Sequence, residues 1–149
     1  MHRVLGETFV MGRINLGRVL LGGLVAGIVI DAFEFVLNGL ALADQWTDLM
    51  RSINRAPLGV TEIVYFNVFG FIQGVAAIWT YAAIRPRFGE GPMTAIIAAL
   101  LTWVTAYLLV DAMPTIMGVF PLSMTLMLLG VGLIEIVAAT FAGAWLYKE

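Results

Sequence analysis

The chain has 149 residues, 61% of them hydrophobic and 12% charged, with a formal net charge of −2; its mean hydropathy is +0.97. A soluble domain is about half apolar and about a quarter charged, and a chain this short has too much surface for its volume to hide such an excess. These figures exclude a water-soluble globular domain and leave lipid as the solvent of a single small domain. The charge is too small to imply a nucleic-acid partner, and the absence of cysteine excludes disulfides, thiolate metal sites and cysteine nucleophiles.

In chain order, the first ten residues carry no clear pattern; Met11 offers an alternative start, and the one histidine, His2, stands alone at the terminus. Four apolar stretches follow, at about 17–42, 62–84, 92–113 and 122–146. Each is long enough to cross a hydrocarbon core of about 30 Å, which takes about 20 helical residues, and none alternates with the period of a β-barrel strand. The first is too long for the apolar core of a signal peptide and contains Asp31 and Glu34, so it reads as a retained helix. Breakers separate the stretches: Pro57 and Gly59, then Pro86, Gly89, Gly91 and Pro92, then Pro114, Gly118 and Pro121. The expected fold is all-α, an integral membrane four-helix bundle running up-down-up-down over residues 1–149.

The longest connection, about 43–60, places Trp46, Leu49, Met50 and Ile53 at helical spacing among Asp44, Asp48, Arg51 and Arg55. That pattern predicts an interfacial amphipathic helix anchored by Trp46. Arg3, Arg13, Arg18, Arg85, Arg87 and Lys148 fall on one side of such a bundle and only Arg51 and Arg55 on the other. The excess of Lys and Arg predicts that both termini are cytoplasmic and that the 43–60 connection is external. Residues 69–77 align without gaps on residues 131–139, pairing Gly70 with Gly132 and Gln73 with Glu135. Either the chain holds a duplicated helix hairpin, or low-complexity apolar sequence repeats by chance.

Polar residues inside the spans are the informative ones. Asp31, Glu34 and Asn38 share a face of the first helix; Asn67 and Gln73 lie in the second, with Glu62 at its outer end; Trp103, Tyr107 and Asp111 recur at four-residue spacing in the third; Glu135 lies in the fourth. An ionised carboxylate at mid-membrane costs about 2.5–3.5 kcal/mol even on the mild insertion scale. No Lys, Arg or His stands in the middle of any span to pair with it. The acids must be protonated, hydrogen-bonded to the amides and Tyr107, or engaged with a cation or water. With the termini inside, Asp31 and Glu135 fall near mid-span and Glu34, Asn38, Asp111 and Glu62 toward the outer half, so one shared polar cavity is expected. The alternative is polar glue that sets helix register. Small-residue pairs at Gly23 and Gly27, at Gly70 and Gly74, and at Ala139 and Gly143 predict close helix contacts, within the chain or with a second copy.

Nucleotide loops, nucleophile elbows and histidine metal motifs are missing, so no enzyme activity, metal or cofactor is expected. The polar-interrupted first helix at 22–42, the stretch from Asp44 to Met50 with Trp46, and the closing Ala142-Gly143-Ala144-Trp145-Leu146-Tyr147 resemble small four-helix bacterial inner-membrane proteins of unassigned function. The resemblance implies a bacterial cytoplasmic-membrane location and no particular activity. Two functions remain in contention. One is a structural or accessory membrane protein, a subunit of a larger complex. The other is a proton- or cation-linked small transporter or channel using the intramembrane carboxylates.

Overall fold

The computed structural model describes residues 14–148; His2, Arg3, Met11 and Arg13 lie outside the described residues. The described chain is helical, with five helices: α1 (Leu16–Ala41), α2 (Ala43–Ser52), α3 (Val60–Phe88), α4 (Pro92–Ile116) and α5 (Leu122–Leu146). All but α2 are long and apolar enough to cross a membrane. Only 22–39% of the most apolar window of each span is buried inside the protein, so most of the spanning surface needs an apolar solvent.

Local chemistry sets the ends. Asn15 caps α1, its Oδ1 accepting from Arg18 N at 3.1 Å. At the start of α3, Glu62 reaches back to accept from Gly59 N at 2.9 Å. Pro92 opens α4 at its first position, and glycines at φ 82 (Gly89), 123 (Gly91) and 74 (Gly118) make the turns. Two expected breakers do not break. Pro86 lies inside α3 and Pro114 inside α4. Each stands in the last turn of its helix, where proline forfeits a single hydrogen bond. The Pro114 carbonyl is itself used, accepting from Val119 N at 2.8 Å and Phe120 N at 3.2 Å. The second and third spans are accordingly longer than expected, ending at Phe88 and Ile116.

Two segments are wound as π-helix: Phe35–Ala41, closing α1, and Val104–Leu108, inside α4. Each inserts extra backbone into a turn and rotates the side chains beyond it.

The spans pack through small residues. The core is rich in alanine, with Ala26, Ala77, Ala98, Ala99 and Ala139 fully buried beside Ile78 and Ile136. Helix α1 lies against α3 and α5, and α4 against α5 and α3. The Gly23/Gly27 and Gly70/Gly74 stripes face each other within the chain: a Cβ on Gly74 would stand 2.5 Å from both Gly23 O and Gly27 N. At one end, Asn15 N donates to Tyr147 Oη at 3.2 Å. There Tyr81 meets Tyr147 edge-on with ring centroids 6.0 Å apart, and the Arg85 guanidinium lies 5.5 Å from the Tyr147 ring centre. At the other end, Trp46 meets Phe120 edge-on at 5.6 Å over a second apolar cluster of Leu37, Leu42, Met124 and Leu128. These are called below the Tyr147 end and the Trp46 end. The α3 helix departs from the others on the Trp46 side of Gly70, and every residue from 60 to 69 is exposed.

Candidate functional site

Glu34 and Glu135 meet toward the Trp46 end, with Asp31 and Asp111 within electrostatic range of Glu34. Glu135, on α5, is completely buried (0% exposed). Tyr107 donates its hydroxyl to Glu135 Oε1 at 2.5 Å. The π-helical turn Val104–Leu108 places that ring, and Gly132 admits it: a Cβ on Gly132 would stand 2.5 Å from Tyr107 Cδ1. Glu135 Oε2 is buried, with no N–H or hydroxyl donor on it among the described residues, and the Glu34 carboxyl is its neighbour.

Glu34 is the neighbour of Glu135 across the α1–α5 contact, and Asp31 and Asp111 lie near enough to act on this pair electrostatically. Asn38 donates to Glu34 Oε2, and Trp46 Nε1 donates to Asn38 Oδ1 at 2.8 Å. That second bond fixes which way the amide points: with Oδ1 held by the indole, Nδ2 faces the carboxyl. Gln73, on α3, lies beside the Tyr107 hydroxyl, with its Nε2 buried. Gln73 and Glu135, the paired positions of the internal match, therefore flank one tyrosine.

The arrangement has a definite chemistry. Each member of the Glu34–Glu135 pair receives one neutral donor, from Asn38 and from Tyr107. Two neighbouring carboxyls in a low-dielectric interior cannot both ionise cheaply. Because Tyr107 occupies Oε1 of Glu135 as a donor, a proton carried by Glu135 sits on Oε2. Among the described residues, no three Asp, Glu or His side chains gather closely enough to hold a metal ion.

Two expected members are elsewhere. Glu62 is exposed and caps α3 through Gly59. Asn67 is exposed and donates to Ile63 O at 2.7 Å. Both sit on the part of α3 that leaves the other helices. Asp31 packs against Gly70 at the α1–α3 contact and is only partly buried. Trp103 does not join the carboxyls either: its Nε1 donates to Leu129 O at 3.0 Å and ties α4 to α5. Trp46, expected as an interfacial anchor, is half-buried and joined to the site through Asn38. Its position beside the polar end of the first helix was the available signal for that role.

No family model, no curated protein and no solved structure matches this chain. The site is therefore read from its own chemistry.

Proposed function

We propose that the protein is a proton- or cation-linked small transporter or channel whose working group is the Glu34–Glu135 pair. The observation that carries this reading is the meeting of Glu34 with a fully buried Glu135, with no basic side chain beside them among the described residues. Separate carboxyls in separate helix contacts would have favoured glue. A shared proton on the pair is lost toward, and regained from, the Trp46 end, where Glu34, Asp31 and Asp111 are only partly buried.

This reading takes the spans as an up-down-up-down bundle. The meeting of Asn15, Tyr81, Arg85 and Tyr147 at one end, and of Trp46 with Phe120 at the other, supports it. The Tyr147 end, with Arg18, Arg85, Arg87 and Lys148, is cytoplasmic by the positive-inside rule; α2, with Arg51, is external. The resemblance to small bacterial inner-membrane proteins supports a cytoplasmic-membrane location, and no catalytic step is part of the reading.

The test is flux into liposomes, with a pH-sensitive dye inside and proton, sodium or potassium gradients imposed in turn. The parent should move protons or one of the cations. The double variant Glu34→Gln and Glu135→Gln should fold and melt like the parent, since the amides keep size and hydrogen bonding, yet lose flux by at least about tenfold, equivalent to about 1.4 kcal/mol. Equal flux in parent and double variant would remove the proposal.

A second reading, a structural or accessory subunit, is favoured by residues 60–69 of α3, exposed on all sides and carrying Asn67. Co-purification from native membrane, with and without Asn67→Leu, tests it: a stoichiometric partner lost in the variant supports it, and a chain recovered alone counts against it.

A further inference from the structure

A cavity of about 470 Å³ lies between α3 and α4, within the range of about 300–1,000 Å³ typical of small-molecule sites. Phe69, Ile72, Ala76 and Leu101 give it apolar walls. Two hydroxyls in the wall are already spent on their own helices: Thr80 donates to Ala76 O at 2.8 Å and Thr105 to Leu101 O at 2.9 Å. Phe69, Ile72, Ala76, Leu101 and Thr105 are all exposed, so the cavity opens sideways, at the flank of the spans rather than at either end. In a membrane, that flank faces hydrocarbon.

Gln73 joins the cavity to the carboxyl site. It lines the cavity and lies beside Tyr107, which donates to Glu135. Moving inward from the lipid flank, the environment therefore changes from mostly apolar, through one amide and the Tyr107 hydroxyl, to the buried Glu135 carboxyl. Among the described residues no basic side chain offsets the charge there: Arg18, Arg85 and Arg87, the basic residues of the spans, stand toward the Tyr147 end. A ligand matched to this gradient has an apolar body and a positive charge. An anion would meet the carboxyls, and the face of Phe69 adds a second attraction for a cation.

We propose that the α3–α4 cavity binds a lipophilic organic cation that enters from the bilayer, its apolar body between the two helices and its charge directed past Gln73 toward Glu135 and Glu34. The proposal rests on the reading of the carboxyl pair as an exchange site and names the substrate class of that site.

The test uses two probes of the same shape and opposite charge, tetraphenylphosphonium and tetraphenylborate, in equilibrium dialysis against the purified full chain in detergent. Saturable binding of the phosphonium and not of the borate is expected. Glu135→Gln should weaken phosphonium binding at least about tenfold. Ala76→Phe and Thr105→Trp, which fill the cavity from opposite walls at exposed positions, should each do the same, with melting temperatures recorded for every variant so that loss of binding is not loss of fold. Equal binding of both probes, no saturable phosphonium binding, or binding unchanged by either filling variant in a folded state would overturn the proposal. Proton flux of the parent in liposomes separates the two failures: flux without phosphonium binding sinks only the organic-cation site, whereas absence of proton and metal-cation flux counts against the transport reading beneath it.

Discussion

Tyr107 and Gly132 form the tightest contact of the site, and their energetic roles differ. Tyr107→Phe keeps the ring and deletes the hydroxyl, leaving Glu135 Oε1 without its donor. Intramembrane hydrogen bonds contribute about 0.6 kcal/mol on average and up to about 1.7, so the variant should lose on the order of 1 kcal/mol in denaturant unfolding from detergent. Gly132→Ala inserts a methyl 2.5 Å from Tyr107 Cδ1. It should cost more, in the range of about 1–3 kcal/mol that overpacking imposes. Stability of Gly132→Ala equal to the parent would mean that the ring does not pack there. The placing of Glu34 and Glu135 away from lipid was legible in the sequence, because acids without bases in apolar helices have few inexpensive places to go. The exclusion of Glu62 and Asn67 was not: both obey the same polar-in-span logic, and only the departure of α3 from its neighbours keeps them out.

At the scale of elements, the α1–α3 contact is set by glycines meeting glycines. A Cβ on Gly74 would meet the backbone of Gly23 and Gly27, which cannot rotate away, whereas nothing lies within 4 Å of one on Gly130. Gly74→Leu should therefore lower unfolding free energy by more than about 1 kcal/mol while Gly130→Leu leaves it nearly unchanged; similar melting of the two variants would show that α1 and α3 do not touch at this point. The spans themselves were readable because length and hydropathy suffice to identify a membrane helix, and the last span matches its expected bounds, 122–146. Their ends were less so: Pro86 and Pro114 punctuate a sequence, but in a final helical turn each removes only one bond. The π-helical turns left no sequence mark, since they arise from packing and not from any residue's preference. Such turns gather at functional sites, and both here carry site residues, Asn38 and Tyr107. Deleting Val104 should return α4 to ordinary helix and turn Tyr107 away from Glu135. Circular dichroism of the variant should retain the parent's helicity, while unfolding should show the same loss as Tyr107→Phe. A larger loss, with collapse of helicity, would mean that the turn is needed for the fold itself.

For the molecule as a whole, orientation is the accessible test, and a chain without cysteine gives no labelling background. Asp48→Cys on α2 should react with a membrane-impermeant maleimide in intact cells, and Lys148→Cys only after the membrane is opened; the reverse order would invert the bundle and put the carboxyl site on the cytoplasmic side. The two ends of the molecule also differ mechanically. The Tyr147 end is gathered around one tyrosine ring, whereas α3 runs free beyond Gly70. From Gly74 to Val60 the helix makes an arm of about 21 Å, and its fulcrum is the close contact at Gly23, Gly27 and Gly74, where Val75 and Phe71 of α3 seat on Gly23 and Gly27 of α1. A rotation of about 10° at that fulcrum carries the tip of the arm by about 3.7 Å, more than the width of a water molecule, given the same helical rise. The flank of the α3–α4 cavity at Phe69 and Ile72 lies near the start of that arm, so its width is geared to how α3 seats on the glycines of α1.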